Sequence, residues 1–295
     1  MGKSARAQNA RLVELRAQQA KAERRSKLMI AGATVGVVAI VVIALVIAAL
    51  QGGTDVTGQS STALDQATFA KVTSVPAASL DTVGAGASDN PPKTIDAPAL
   101  TKDGKPRVLY VGAEYCPYCA TERWPLVVAL SRFGTWNNLS ASFSAPAPEV
   151  NPNTATVSFH GATYSSQYVS FTGYETSTNK QTNGQWGKLD TLEGEDLALF
   201  QKFNASPYVQ SSGAIPWINL GGTSIQAGAS YNSAVILNKT QAEIATALAD
   251  PTTDIAKGVN GAANVLTAQI CKSTNQQPTA VCTAPGVVAA AAKLQ

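Results

Sequence analysis

A run of 23 residues without a single charge, Leu28 to Leu50, constrains this chain more than any other stretch. A membrane-crossing helix needs about 20 predominantly apolar residues, so the run is long enough to span a bilayer. A cleaved signal peptide is the competing reading, but its apolar centre measures about 7–15 residues behind a short basic lead. Here the lead is 27 residues long and holds eight Lys or Arg against Glu14 and Glu23. Positive charge beside a span stays cytoplasmic, which predicts a basic tail over 1–27 inside, an anchor over 28–50, and everything after it outside the cell. The other 268 residues carry fourteen basic side chains against seventeen acidic ones, so the folded part has no nucleic-acid footprint.

An extracytoplasmic location lets disulfides persist, and the chain has four cysteines, Cys116, Cys119, Cys271 and Cys282. Cys116 and Cys119 form a C-x-x-C within Tyr115-Cys116-Pro117-Tyr118-Cys119, where the apolar strand Val108–Val111 gives way to a helical pattern from Ala120 to about Leu130. Two cysteines three apart can close a small ring, and a helix start favours the thiolate of the first. Cys116, exposed at that start, is expected to have a pKa in the range of about 3.5–7.5, with Cys119 one turn further in as the resolving thiol. A permanent, unreactive disulfide is the bland alternative. Zinc is another, but structural zinc sites want a second close Cys or His pair, and His160 is the chain's one histidine. No metal and no cofactor is expected. Cys271 and Cys282, with ten residues between them, lie in an Ala-rich tail and are expected to form a structural staple, with a relay pair as the alternative.

Composition and pattern divide the remainder. Residues 51–66 are rich in Gly, Ser and Thr and are expected to form a flexible tether; 67–254 form the main domain, and 255–295 a helical extension holding the second cysteine pair. The segment Gly134 to Thr154 reads as loop. Thr156–His160 and Gln167–Thr172 alternate and are expected to be strands pairing with each other. Glu175 to Lys188 reads as an exposed loop and Leu192–Asn204 as a helix. Ile215-Pro216 opens a strand that ends at Gly221-Gly222, and Ser224–Ala229 is expected to return from it as a hairpin. Thr240 with Glu243 has the pattern of a capping box. His160 is expected on a strand face, Glu114 and Glu122 on the surface, and Tyr115, Tyr118, Trp124, Trp136 and Trp217 either around a groove or in the core.

The order strand, C-x-x-C at a helix start, long middle region, Ile-Pro, hairpin, helix resembles the thioredoxin-like superfamily. The run from Gly112 to Trp136 resembles, more narrowly, a membrane-anchored prokaryotic family of unassigned function. The resemblance implies an α/β fold, a thioredoxin-like mixed sheet flanked by helices, with an insertion at about 134–190. It implies Cys116 and Cys119 as the catalytic pair. Tyr115, Pro117, Tyr118, Ile215 and Pro216 become substrate-contacting residues, Pro216 in a cis-proline loop. One position departs from the pattern. Thioredoxins carry a buried Asp six residues before the first cysteine, and Tyr110 stands there, which favours an oxidase, isomerase or sensor over a reductase. The implied function is a membrane-anchored thiol-disulfide oxidoreductase acting on envelope or secreted proteins, served by a membrane redox partner. The alternative is a non-catalytic module that binds or assembles a membrane complex.

Overall fold

A computed structural model describes residues 55–294. The expected basic tail and anchor lie outside the described residues; among the described residues no helix is long and apolar enough to cross a membrane. Residues from Asp55 onward form one compact unit. The chain expected to act as tether through residue 66 already takes part in it: Thr57 bridges Lys180, and β1 (Thr62–Ala63) pairs with a later strand.

Two short helices follow, α1 (Gln66–Thr73) and α2 (Ala77–Val83). The Asp65 carboxylate caps α1 by accepting from the backbone N–H groups of Ala67 and Thr68, which supplies partners for donors that a helix start leaves free. Then come β2 (Lys93–Thr94), β3 (Thr101–Lys102) and β4 (Lys105–Gly112). β4 is the spine of the molecule. All six residues from Arg107 to Gly112 are buried, and such a strand reads as a continuous apolar run because helices cover both faces of its sheet. Val108 and Tyr110 face one core, Leu109 and Val111 the other.

Helix α3 (Pro117–Ser131) leaves β4 through a four-residue loop. Pro117 occupies its first turn, where a missing N–H costs nothing. Thirteen of its fifteen residues are buried, as expected of a helix apolar around most of its circumference. Beyond it lie β5 (Gly134–Asn137), β6 (Ser140–Phe143), β7 (Ala155–Ser158), β8 (Thr163–Ser166) and β9 (Ser170–Glu175). The expected loop over Gly134–Thr154 therefore contains two strands. The expected hairpin is also absent: β7 pairs with β6, β8 with β5, and β9 runs parallel to β4. Since β9 belongs to the central sheet, the span 134–190 is not wholly an insertion. The segment read as a loop up to Lys188 is a hairpin of β10 (Ser177–Thr182) and β11 (Gln185–Lys188). Its turn, Asn183-Gly184, has positive φ at both residues, which these two types adopt readily.

Helix α4 (Gly194–Phe203) covers the second core, and β12 (Trp217–Leu220) and β13 (Ser224–Ala227) form the expected hairpin. The central sheet runs β2, β13, β12, β4, with β9 on the far side of β4 and β3 folded back on the start of β4. Helix α5 (Gln241–Ala247) carries the capping box, the Thr240 hydroxyl accepting from the Glu243 N–H and the Glu243 carboxylate from the Thr240 N–H. Helix α6 (Asp254–Ser273) buries sixteen of its twenty residues, packing against α3. The expected helical extension thus supplies core. Near its end the Cys271–Cys282 disulfide ties it to α7 (Thr279–Cys282), and α8 (Pro285–Ala290) and a single 3-10 turn (Ala291–Lys293) follow.

Candidate functional site

Strand register brings the site together. Val111 of β4 lies opposite Trp217 of β12 in antiparallel pairing, and Gly112 lies beside Glu175 of parallel β9. The chain leaving β4, the chain entering β12 and the end of β9 therefore meet at one edge of the sheet. Cys116 and Ile215-Pro216 belong to the first two, and the Ile215–Pro216 peptide is cis.

Cys116 is the N-cap of α3. Its sulfur accepts from the Cys119 N–H at 3.2 Å, and its thiol donates to the Ile215 carbonyl at 3.6 Å. Cys116 and Cys119 carry free thiols. Cys116 is only 5% exposed, which corrects the expectation of an open sulfur: the Ile215 edge closes over it. Cys119 is fully buried. Burial pushes its thiol well above the ordinary value, and the hydrogen bond and charge of Cys116 push the same way, while Arg123 opposes them.

Of the other expected contact residues, Tyr118 is exposed, Tyr115 and Ile215 are half-buried, and Pro117 and Pro216 are buried. An open groove beside Tyr118 is lined by Ile215, Ala214, Asn151 and Asn232. Tyr115 stacks flat on Trp186 of the β10–β11 hairpin, ring centroids 4.6 Å apart. Burial, with the charges of Cys116 and Cys119, pushes the Tyr115 hydroxyl up to about 12. The loop before Cys116 is clamped on three sides: Ser61 donates to the Glu114 carboxylate, the Glu114 N–H to Ser177, and the Ala145 N–H to the Tyr115 carbonyl.

Glu114 and Glu122 are not on the surface: they are 5% and 0% exposed. Glu122 accepts from the Ser230 N–H, the Ser230 hydroxyl and the Gln226 amide. Burial raises its carboxyl to about 7 against the pull of those donors. Trp124, Trp136 and Trp217 belong to the cores and leave the groove rim to tyrosine. His160 sits past the end of β7, exposed, with Nδ1 2.7 Å from Asp190. Among the described residues no cluster of three or more His, Cys, Asp or Glu is placed to hold a metal ion.

A pair that the sequence reading missed lies beneath the cysteines. Arg123 of α3 and Glu175 of β9 form a wholly buried bidentate ion pair, with bonds of 2.7 and 2.6 Å, and Arg123 also donates to the Ala113 carbonyl at 2.7 Å. The signal was an adjacent Glu-Arg inside an otherwise apolar helix, three and four residues after Cys119, on the side that carries that cysteine.

Residues 92–272 match the model of a protein family described as a domain of unknown function, DUF929. No curated protein and no solved structure matches the chain.

Proposed function

This chain belongs to the DUF929 family of domains of unknown function, and from that premise we propose that it is a membrane-anchored, extracytoplasmic thiol-disulfide oxidoreductase. Its family membership carries no activity, so the reading rests on the site. The observation that carries it is the sulfur of Cys116, held at the start of α3 between the Cys119 N–H and the Ile215 carbonyl. A thioredoxin-like arrangement is supported by a parallel strand on one side of β4, an antiparallel hairpin on the other, and the C-x-x-C and Ile215-Pro216 at the same sheet edge. The apolar run Leu28–Leu50 supports the anchor.

In the forward direction the Cys116 thiolate attacks a protein disulfide. A bond forms between Cys116 Sγ and one substrate sulfur, and the other substrate sulfur leaves as thiolate. Cys119 then attacks Cys116 Sγ, closing the C-x-x-C disulfide and releasing the second substrate thiolate, so two electrons pass to the substrate. Run backwards, the oxidised pair takes two electrons from a substrate dithiol. A membrane redox partner, either a quinone-linked oxidase or a thiol reductant, restores the starting state and sets the direction.

The burial of Cys116 favours a second reading, a non-catalytic module that binds or assembles a membrane complex. Trapping separates the two. A Cys119→Ala protein should accumulate mixed disulfides with envelope proteins, visible on non-reducing gels and abolished by Cys116→Ala. A blank in the intact membrane overturns the oxidoreductase reading and leaves the binding module.

A further inference from the structure

Four side chains meet under the C-x-x-C with no exposure at all: Cys119, Arg123, Glu175 and Tyr110. Arg123 lies one helical turn after Cys119, on the same side of α3. Glu175 occupies two of its nitrogens, and Ala113 shares one of these. The remaining nitrogen, Nη1, has no hydrogen-bond partner among the described residues. Neither has the Tyr110 hydroxyl. Tyr110 reaches toward the Cys116 end of β4 past Gly112, where a Cβ would overlap its hydroxyl. An unused donor is expensive to bury, and both belong to buried groups near enough to the Cys119 thiol to interact with it electrostatically.

The electrostatics agree with that geometry. Burial and Cys116 push the Cys119 thiol up, Glu175 adds to this, and Arg123 is the one neighbour that pulls it down. Burial also pushes the Tyr110 hydroxyl well up, so it keeps its proton and remains a donor. Burial alone would lower Arg123, but Glu175 holds it charged.

We propose that Arg123 and Tyr110 are positioning residues for the resolving step, their two unused donors taking the charge of Cys119 Sγ when that sulfur ionises. The proposal deepens the thiol-exchange reading and rests on it. In the step, Cys119 Sγ gives up its proton and bonds to Cys116 Sγ. The bond from Cys116 Sγ to the substrate sulfur breaks, and the departing thiolate takes up the proton. Glu175 is saturated by Arg123 and is not the base; its part is to hold the guanidinium under the thiol.

A Cys116→Ser protein leaves Cys119 as the one free thiol, because Cys271 and Cys282 are bonded to each other. Its ionisation is read from thiolate ultraviolet absorbance against pH, without substrate. In that background Tyr110→Phe should raise the midpoint. The double variant Arg123→Met/Glu175→Gln removes both charges, so neither is left stranded. It should raise the midpoint by about one pH unit, which is about tenfold less thiolate at a given pH, and Arg123→Lys should recover part of the loss. An unmoved midpoint in folded Tyr110→Phe and double variants overturns the proposal. If the double variant does not fold, Tyr110→Phe, which deletes one oxygen, decides alone. Mixed disulfides with an unmoved midpoint would keep the oxidoreductase and remove these residues from it. A moved midpoint with blank trapping would remove the oxidoreductase while leaving the coupling of Cys119 to its neighbours.

Discussion

Glu122 shows how one carboxyl can set the pH range of the protein. It is fully buried, and its pKa rises from 4.5 to about 7, burial being the main cause. The native state therefore holds a proton that the unfolded chain has released between these two values, so stability falls as pH rises through that window and levels off above it. A shift of this size corresponds to roughly 3 kcal/mol. Glu122→Gln should flatten the slope, which denaturant midpoints measured between pH 5 and 8 will show; parallel curves for the two proteins would mean that the carboxyl is already ionised when folded. Three hydrogen bonds pull the other way, and the measurement reports which influence wins. Such a residue is half legible in sequence. Glu122 and Arg123 stand out as charges in the apolar run Ala120–Leu130, but their partners Ser230, Gln226 and Glu175 are distant in the chain, and nothing local points to them.

Elements with local signals were readable for the same reason. β4 announces itself by apolar content and α3 by the helical pattern from Ala120 to about Leu130, while Gly221-Gly222 ends β12 and Thr240 with Glu243 starts α5. β5 and β6 were not readable, because each is four residues long, buries only one of them, and lies in a stretch punctuated by Asn, Ser and Pro. β7 and β9 invited pairing because both alternate, yet the mate of β9 is β4, before α3, across a connection that a parallel pair always requires. The role of α6 was hidden because its many Ala, Gly and Asn residues do not look like core, although sixteen of its twenty residues are buried. Its Asn264 amide donates to the Leu80 and Gly84 carbonyls at the end of α2, both at 2.8 Å, and its oxygen accepts from Arg132 at 2.9 Å. Asn264→Ala takes the side-chain donor from the Gly84 carbonyl and the acceptor from Arg132, while Leu80 keeps the Gly84 N–H; it should cost about 1–3 kcal/mol, measured as a lower denaturant midpoint with unchanged thiol reactivity.

Both ends of the folded unit are bound into it. Residues before Ala63 pair with β6 and with the β10–β11 hairpin, and the last helices lie against α2 and α6. The Cys271–Cys282 disulfide fixes the carboxyl-terminal helices in that arrangement, with 11 residues of separation. Closing so short a loop contributes about 2–3 kcal/mol. Replacing both cysteines by alanine should lower the thermal midpoint and leave Cys116 trapping intact, since the disulfide belongs to the scaffold; loss of trapping in a folded variant would make it a relay instead.

Of the four tryptophans, Trp124, Trp136 and Trp217 are buried, while Trp186 is half-buried and rests on Tyr115, the residue before Cys116. A soluble collisional quencher will therefore meet Trp186 first, and the quenchable part of the emission will come from a ring stacked on Tyr115, next in sequence to Cys116. Titrating the dithiol from reduced to oxidised should shift that fraction alone, and Trp186→Phe should abolish the shift. The hairpin thus gives the protein an intrinsic optical gauge of its own site.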